Sequence, residues 1–124
     1  MTDRADEYTA TSLAALSEWL DSQNRLMGRD GEAITWGRLA KVGEECGEVI
    51  AAYIGATGQN PRKGFTHTPN DVIEELLDVA VTALGAVEHM VCNNGESMTL
   101  LEDKIRRVVA RAVRNGLNGG VSID

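Results

Sequence analysis

The 124-residue sequence predicts an all-α protein, an antiparallel four-helix bundle, and three observations support this fold class. Apolar residues make up 43% of the chain but aromatic residues only 4%, so the core must be built from Leu, Val, Ile and Ala. The two prolines, Pro61 and Pro69, lie in one short stretch and leave the rest free to form long helices. Four segments carry apolar residues at three- and four-residue steps, and their short connections favour antiparallel neighbours.

The first two helices are predicted over Thr9–Met27 and Glu32–Ala56. In the first, Leu13, Leu16 and Leu20 recur at helical spacing, and residues 28–31 break the pattern. Gly58 is a natural stop for the second helix, and residues 58–68 form a loop. The apolar stripe of the second helix is formed by Leu39, Val42, Cys46, Val49, Ile50 and Tyr53.

The third helix is predicted to begin after Thr68, which caps it, with Pro69 at the first helical position and Asp71 in the first turn. It extends to Cys92. The fourth helix, from Ser97 to Asn115, has a heptad-like apolar stripe. That stripe consists of Met98, Leu101, Ile105, Val108 and Ala112.

The chain length predicts one domain, over residues 9–115, with a flexible N-terminal segment (1–8) and a flexible C-terminal tail (116–124). The net charge of −7 argues against binding of nucleic acid or of an anionic membrane. Cys46 and Cys92 lie in apolar patterns without a CxxC pair, which predicts buried free thiols. With no apolar signal segment and no membrane span in the sequence, we expect a cytoplasmic protein.

Two carboxylate pairs stand out against this background. Glu45 and Glu48 on the second helix, and Glu75 and Asp78 on the third, are spaced so that each pair shares a helix face. Like charges at this spacing repel, so the pairs do not serve helix stability. A single ExxE pair is common on solvated helix faces, but here the pattern occurs on two consecutive helices.

The third helix is predicted to be buried around most of its girth. At roughly 100° per residue, its acidic stripe lies opposite a wholly apolar side. Enclosed carboxylates stay ionised together only with a cation, and an all-oxygen site suits Mg²⁺ or Mn²⁺. The acidic stripe contains Glu75, Asp78, Thr82, Gly85 and His89; the apolar side contains Ile73, Leu77, Ala80, Leu84, Val87 and Val91.

The two segments, KVGEECGEVIAAYIG and VIEELLDVAVTAL, resemble the MazG-like all-alpha nucleoside triphosphate pyrophosphatases, over roughly Ala33–Met90. The family signature EExxE, spacer, ExxD is matched in both parts. The resemblance implies a helical oligomer that holds Mg²⁺ and converts a nucleoside triphosphate to the monophosphate and pyrophosphate. It makes Glu45, Glu48, Glu75 and Asp78 the metal ligands, and adds Glu44 to the catalytic set.

Basic residues supply candidates for substrate binding. Arg62 and Lys63 lie in the loop between the two motif helices, where they can contact phosphate, and Lys104 and Arg107 lie on the fourth helix. Solvated surface charges or ion pairs are the alternative for all four. No GxxxxGK[ST] loop is present, which argues against ordinary γ-phosphate ATPase chemistry.

The expected assembly is a homodimer or a dimer of dimers, because a third helix with two buried sides needs a second chain to cover one of them. Two alternatives to a pyrophosphatase remain at this point. One is a non-catalytic helical module that binds nucleotide or protein. The other, a di-iron carboxylate bundle, is disfavoured because His67 and His89 do not form its Glu-x-x-His pairs.

Overall fold

The computed structural model describes residues 4–117, which form four α-helices joined by short connections, with no strand in this part of the chain. The prediction of an all-α antiparallel four-helix bundle is confirmed. None of the described helices is long and apolar enough to cross a membrane. The helices are α1 (Arg4–Leu26), α2 (Gly31–Thr57), α3 (Pro69–Met90) and α4 (Ser97–Arg114).

The helix boundaries differ from the predicted ones mainly at the start of α1 and at the end of α3. Helix α1 begins at Arg4, so the predicted flexible segment 1–8 is helical from residue 4 onward. Helix α3 ends at Met90, before the predicted Cys92, because Cys92 and Asn93 adopt positive φ angles of 60° and 57° in the following turn. Residues 1–3, and most of the predicted tail, residues 118–124, lie outside the described residues.

The beginning of α3 agrees with the sequence prediction in detail. The Thr68 hydroxyl accepts a hydrogen bond from the Asp71 amide at 3.3 Å, and the Asp71 carboxylate accepts one from the Thr68 amide at 2.8 Å. Together they form a capping box, with Pro69 in the first turn. At the other side of the loop, Gly58 ends α2 in the left-handed conformation, with φ of 65°.

The helices α2 and α3 pair along most of their length as an antiparallel hairpin. Helix α1 runs parallel to α3 against the end of that hairpin, where Ser17 donates a hydrogen bond to the Gly85 carbonyl at 3.1 Å. Helix α4 packs on α1 and α3 but does not contact α2. Helix α1 therefore packs against the part of the hairpin that contains Arg38 and Gly85.

The apolar core within one chain is small, and the buried apolar side chains of the described residues are Leu13, Ile34, Ala52 and Ala86. The predicted apolar side of α3 is only partly covered in the single chain. Ile73 and Leu77 are each 53% exposed, and the later members Leu84, Val87 and Val91 are half-buried. Instead, α3 directs its polar stripe towards its neighbours, with Gly85 buried and His89 half-buried. The apolar stripe of α2 is likewise open, with Ile50 63% exposed.

The two cysteine side chains are also exposed rather than buried. Cys46 belongs to the uncovered stripe of α2, and Cys92 lies in the turn that follows α3. The periodic pattern identified the apolar sides of the helices correctly, but one chain does not cover them.

Candidate metal and phosphate site

Three of the predicted metal ligands meet between α2 and α3. Glu45 from α2 and Glu75 and Asp78 from α3 each place a carboxylate oxygen within 4.8 Å of the other two. Glu45 and Glu75 are half-buried, and Asp78 is exposed. The hairpin brings them together because the two helices are antiparallel, so residues near the middle of α2 face residues near the middle of α3.

The electrostatics of this acidic triad (Glu45, Glu75 and Asp78) disfavour full ionisation. Desolvation and the negative charges of Asp78, Glu48 and Glu45 together raise the pKa of Glu75 above its ordinary value of 4.5. Glu48 is therefore close enough to act on Glu75 through its charge, although it lies outside the triad. A bound cation would relieve this repulsion.

Lys41 is the cation that contacts the triad in the described part of the chain. Its ammonium group lies 3.4 Å from the Glu45 carboxylate and 3.1 Å from that of Glu44. These two carboxylates raise the pKa of Lys41 above 10.5, Glu44 more than Glu45. Glu44 itself is exposed and faces Lys41 rather than the acids of α3, so the structure separates it from the other motif residues.

The four predicted substrate-binding cations are not brought to the triad. Arg62 and Lys63 lie on the exposed surface of a turn between α2 and α3, organised by Asn60, which accepts hydrogen bonds from both of their amides. Lys104 and Arg107 are exposed on α4, which does not contact α2. Within the described residues, none of the four side chains forms an ion pair with the triad.

The donor set of the triad fits a hard divalent cation. All three groups are carboxylates, they come from two helices, and one oxygen of each lies within 4.8 Å of the others. Mg²⁺ commonly takes one or two protein carboxylates and completes its shell with water and substrate phosphates, which an open, half-buried group permits. Glu45, Glu75 and Asp78 are therefore the residues that would hold it, with Glu48 beside them.

A buried polar network between α1, α2 and α3 was not anticipated from the sequence. The Arg38 guanidinium donates to the Asp21 carboxylate at 2.9 Å and to the Ser17 hydroxyl at 3.0 Å, and all three residues are buried. His89 bridges Asp21, at 2.9 Å, and the Thr35 hydroxyl, at 2.7 Å. The network thus ties α1, α2 and α3 together.

Asp21 is the centre of this network and stays ionised. Burial alone would raise its pKa, but the hydrogen bonds from Asn93 and His89, with the charges of His89 and Arg38, hold it below 3.8. Every partner of Asp21 is far away in the sequence, and no local spacing signals such a pairing. What the sequence does contain is an arginine and an aspartate inside otherwise apolar helical patterns.

Comparison of this chain with models of protein families, with curated proteins and with solved structures finds no match. The resemblance to MazG-like pyrophosphatases therefore rests on the paired carboxylate motif.

Proposed function

We propose that the protein is a Mg²⁺-dependent nucleoside triphosphate pyrophosphohydrolase, which cleaves a ribo- or deoxyribonucleoside triphosphate to the monophosphate and pyrophosphate. The observation that carries the proposal is the convergence of Glu45, Glu75 and Asp78 from two helices. The motif match of the same residues gives the reaction class. Mn²⁺ is an alternative metal, since it prefers the same oxygen ligands.

When bound, Mg²⁺ supplies positive charge that neutralises phosphate oxygens and Lewis acidity that activates the attacked phosphorus. The protein supplies the carboxylates of the triad and a neighbouring base. Glu48 is close to the triad without belonging to it, so its carboxylate is free to take the proton of the attacking water. Lys41 is placed to contact a phosphate oxygen once a metal displaces it from Glu45.

The same proposal includes self-association as a homodimer or a dimer of dimers. Large apolar side chains of α2 and α3 are exposed in one chain, including Trp36 at 67% and Tyr53 at 55%. Soluble monomers rarely expose apolar patches of this extent. A second copy that covers these faces would bury apolar surface that one chain leaves open.

The reaction is tested by product analysis with phosphorus NMR. The protein is incubated with Mg²⁺ and each of the common and modified nucleoside triphosphates, and we expect monophosphate and pyrophosphate as the initial products. Orthophosphate with a diphosphate would overturn the assignment of the bond. Failure with every nucleotide would instead favour a non-catalytic nucleotide-binding or protein-interaction module, for which the exposed apolar faces are the supporting observation.

The role of the triad is tested by two neutralising variants that differ by one position. Glu75→Gln removes a charge from the triad and should lower turnover by about 100-fold or more, because positioned charge at the reacting centre is worth several kcal/mol. Glu74→Gln removes the same charge from the adjacent, exposed position outside the triad. Equal losses in the two variants would contradict the proposed site.

A further inference from the structure

An open groove runs between α1 and α2 with α3 as its floor. These two outer helices hardly touch one another, and the space between them has a volume of about 460 Å³. Ligand pockets for small organic molecules fall in this range of size. The groove adjoins the triad but does not contain its carboxylates.

The two walls of the groove differ in shape. The wall from α1 carries Leu16 and Leu20, whose branched side chains project into the groove, while the wall from α2 presents Ala33 and Gly37. A Cβ atom added at Gly37 would meet nothing within 4 Å, so the α2 wall is flat and open there. A slot with aliphatic groups on one side and a flat surface on the other suits a planar ring.

The groove is continuous with the triad at one end. Lys41 lines the groove and lies 3.4 Å from the Glu45 carboxylate, and Thr82 lines it one helical turn after Asp78. A molecule that lies in the groove therefore has one end at the triad. Because the middle of the groove is lined mainly by apolar groups and the triad would hold a metal, such a molecule should combine an uncharged organic part with an anionic group.

The opposite end of the groove offers hydrogen-bond donors. Arg29 lines that end, where its guanidinium donates to the Asn24 side-chain oxygen at 2.7 Å. Asn24 is held in turn by a 2.8 Å hydrogen bond from its amide nitrogen to the Leu20 carbonyl. Arg29 forms no ion pair with a carboxylate in residues 4–117. It has further N–H groups for an acceptor on a heterocyclic base.

We propose that the groove between α1 and α2 is the nucleoside subsite of the protein. The base would lie between Leu16 and Gly37, and the phosphates would extend past Lys41 to the triad. The inference rests on the proposed function for the presence of phosphate and metal. It adds where the nucleoside binds and which residues contact it. It also gives the orientation of the nucleotide along α2.

The test is to fill the groove without touching the triad. Gly37→Leu adds a side chain where space is open, and it should not destabilise the helix, since leucine favours helix more than glycine does. Gly37→Ala is the size control at the same position. Gly43→Leu is the matched control on the same helix, because a Cβ there also meets open space and Gly43 does not line the groove.

Binding is measured by titration calorimetry with a panel of nucleoside monophosphates and with inorganic pyrophosphate, all with Mg²⁺. Monophosphates have no phosphoanhydride bond, so their affinity does not depend on the proposed reaction. We expect Gly37→Leu to weaken monophosphate binding by about tenfold or more and to leave pyrophosphate binding unchanged. Both controls should bind like the wild type, and light scattering should give all variants the same mass.

Three results would overturn the inference: unchanged monophosphate affinity in Gly37→Leu, an equal loss for pyrophosphate, or no monophosphate binding by the wild type. The two proposals fail in different ways. If nucleotides bind in the groove but triphosphates are not cleaved, the subsite stands and the hydrolase does not. If triphosphates are cleaved with the same KM in Gly37→Leu, the hydrolase stands and the subsite does not.

Discussion

Glu74 and Glu75 are neighbours in the sequence, yet the structure gives them different environments. Glu74 points to solvent, whereas Glu75 meets Glu45 and Asp78 at the α2–α3 contact. Desolvation and those like charges raise the pKa of Glu75, so ionised Glu75 opposes folding in the absence of metal. The same charge becomes favourable as soon as a divalent cation binds to the folded form.

The charge of Glu75 should therefore lower the stability of the metal-free protein at neutral pH and raise the stability of the Mg²⁺-bound protein. A carboxyl group whose pKa is raised by folding stabilises the protein below its ordinary value of 4.5, and this contribution is lost as the pH rises through the folded pKa. We expect metal-free Glu75→Gln to melt above the wild type at neutral pH and the difference to shrink in acid. Thermal melts with and without millimolar Mg²⁺ test this.

In the presence of Mg²⁺ the wild type should instead melt above Glu75→Gln, because only the wild type gains stability from the metal. Glu74→Gln should behave like the wild type in both conditions. Because Glu74→Gln and Glu75→Gln have the same net charge, a difference between them is not an effect of net charge. A metal-induced rise in melting temperature that survives in Glu75→Gln would show that the triad is not the metal site.

Some contacts between residues could not be predicted from the sequence. The Asp21–Arg38 pair joins α1 to α2, and neither residue has a spacing that distinguishes it from a solvated charge. The carboxylates of the triad were recognisable because their partners lie one turn away on the same helix. Charge pairs that form only through tertiary packing produce no periodic pattern in the sequence, so this network was not predicted.

At the scale of elements, α4 shows how a helix can be capped by a residue of another helix. Its N-cap residue, Glu96, makes no side-chain capping hydrogen bond. The fully buried carboxylate of Glu88, on α3, instead accepts hydrogen bonds from the Gly95 amide at 2.9 Å and the Ser97 amide at 2.8 Å. A negative charge at this position also favours the helix dipole. Glu88 thereby fixes the turn between α3 and α4.

Neutralising Glu88 should therefore cost stability. Glu88→Gln retains the shape but loses the charge and one of the two acceptor oxygens, which we expect to cost about 1–3 kcal/mol in urea unfolding at neutral pH. Although burial would raise it, hydrogen bonds from Ser97 and Gly95 lower the pKa of Glu88 below 4.5. Its stabilisation is thus present above pH 4.5 and is lost as the pH falls through the folded pKa, so the difference should narrow in acid.

The matched control for this variant is Glu96→Gln, which removes the same charge from an exposed position eight residues later. Because Glu96 makes no capping hydrogen bond, its neutralisation should change the free energy of unfolding little. Similar losses in both variants would mean that net charge, and not the cap, sets the stability of α4.

The elements themselves were predictable because their signals are local. The start of α3 follows from Thr68, Pro69 and Asp71, and the structure confirms all three roles. Which side of α3 is covered was not predictable in the same way. Periodicity shows that Ile73 and Leu77 share an apolar side, but whether the same chain or another chain covers that side depends on tertiary and quaternary packing.

At the scale of the whole molecule, the distribution of apolar surface is unusual for a monomer. Only four apolar side chains are buried among the described residues, while large ones such as Trp36, Ile50 and Tyr53 are more than half exposed. A core of this size supplies little of the hydrophobic stabilisation that a domain needs. Self-association would bury more of the exposed apolar surface. We therefore expect the stability of the folded protein to depend on its assembly.

We therefore expect a mass of two or four times 13.3 kDa by light scattering at micromolar concentration, and a melting temperature that rises with protein concentration. Ile50→Glu should shift the mass towards that of a single chain, because burying an unpaired charge at an interface is strongly unfavourable. Leu26→Glu is the control, because Leu26 is 80% exposed and is the last residue of α1, a helix that does not supply the proposed interface. A monomeric mass in an active wild-type sample would contradict the assembly, and it would mean that one chain holds the complete site.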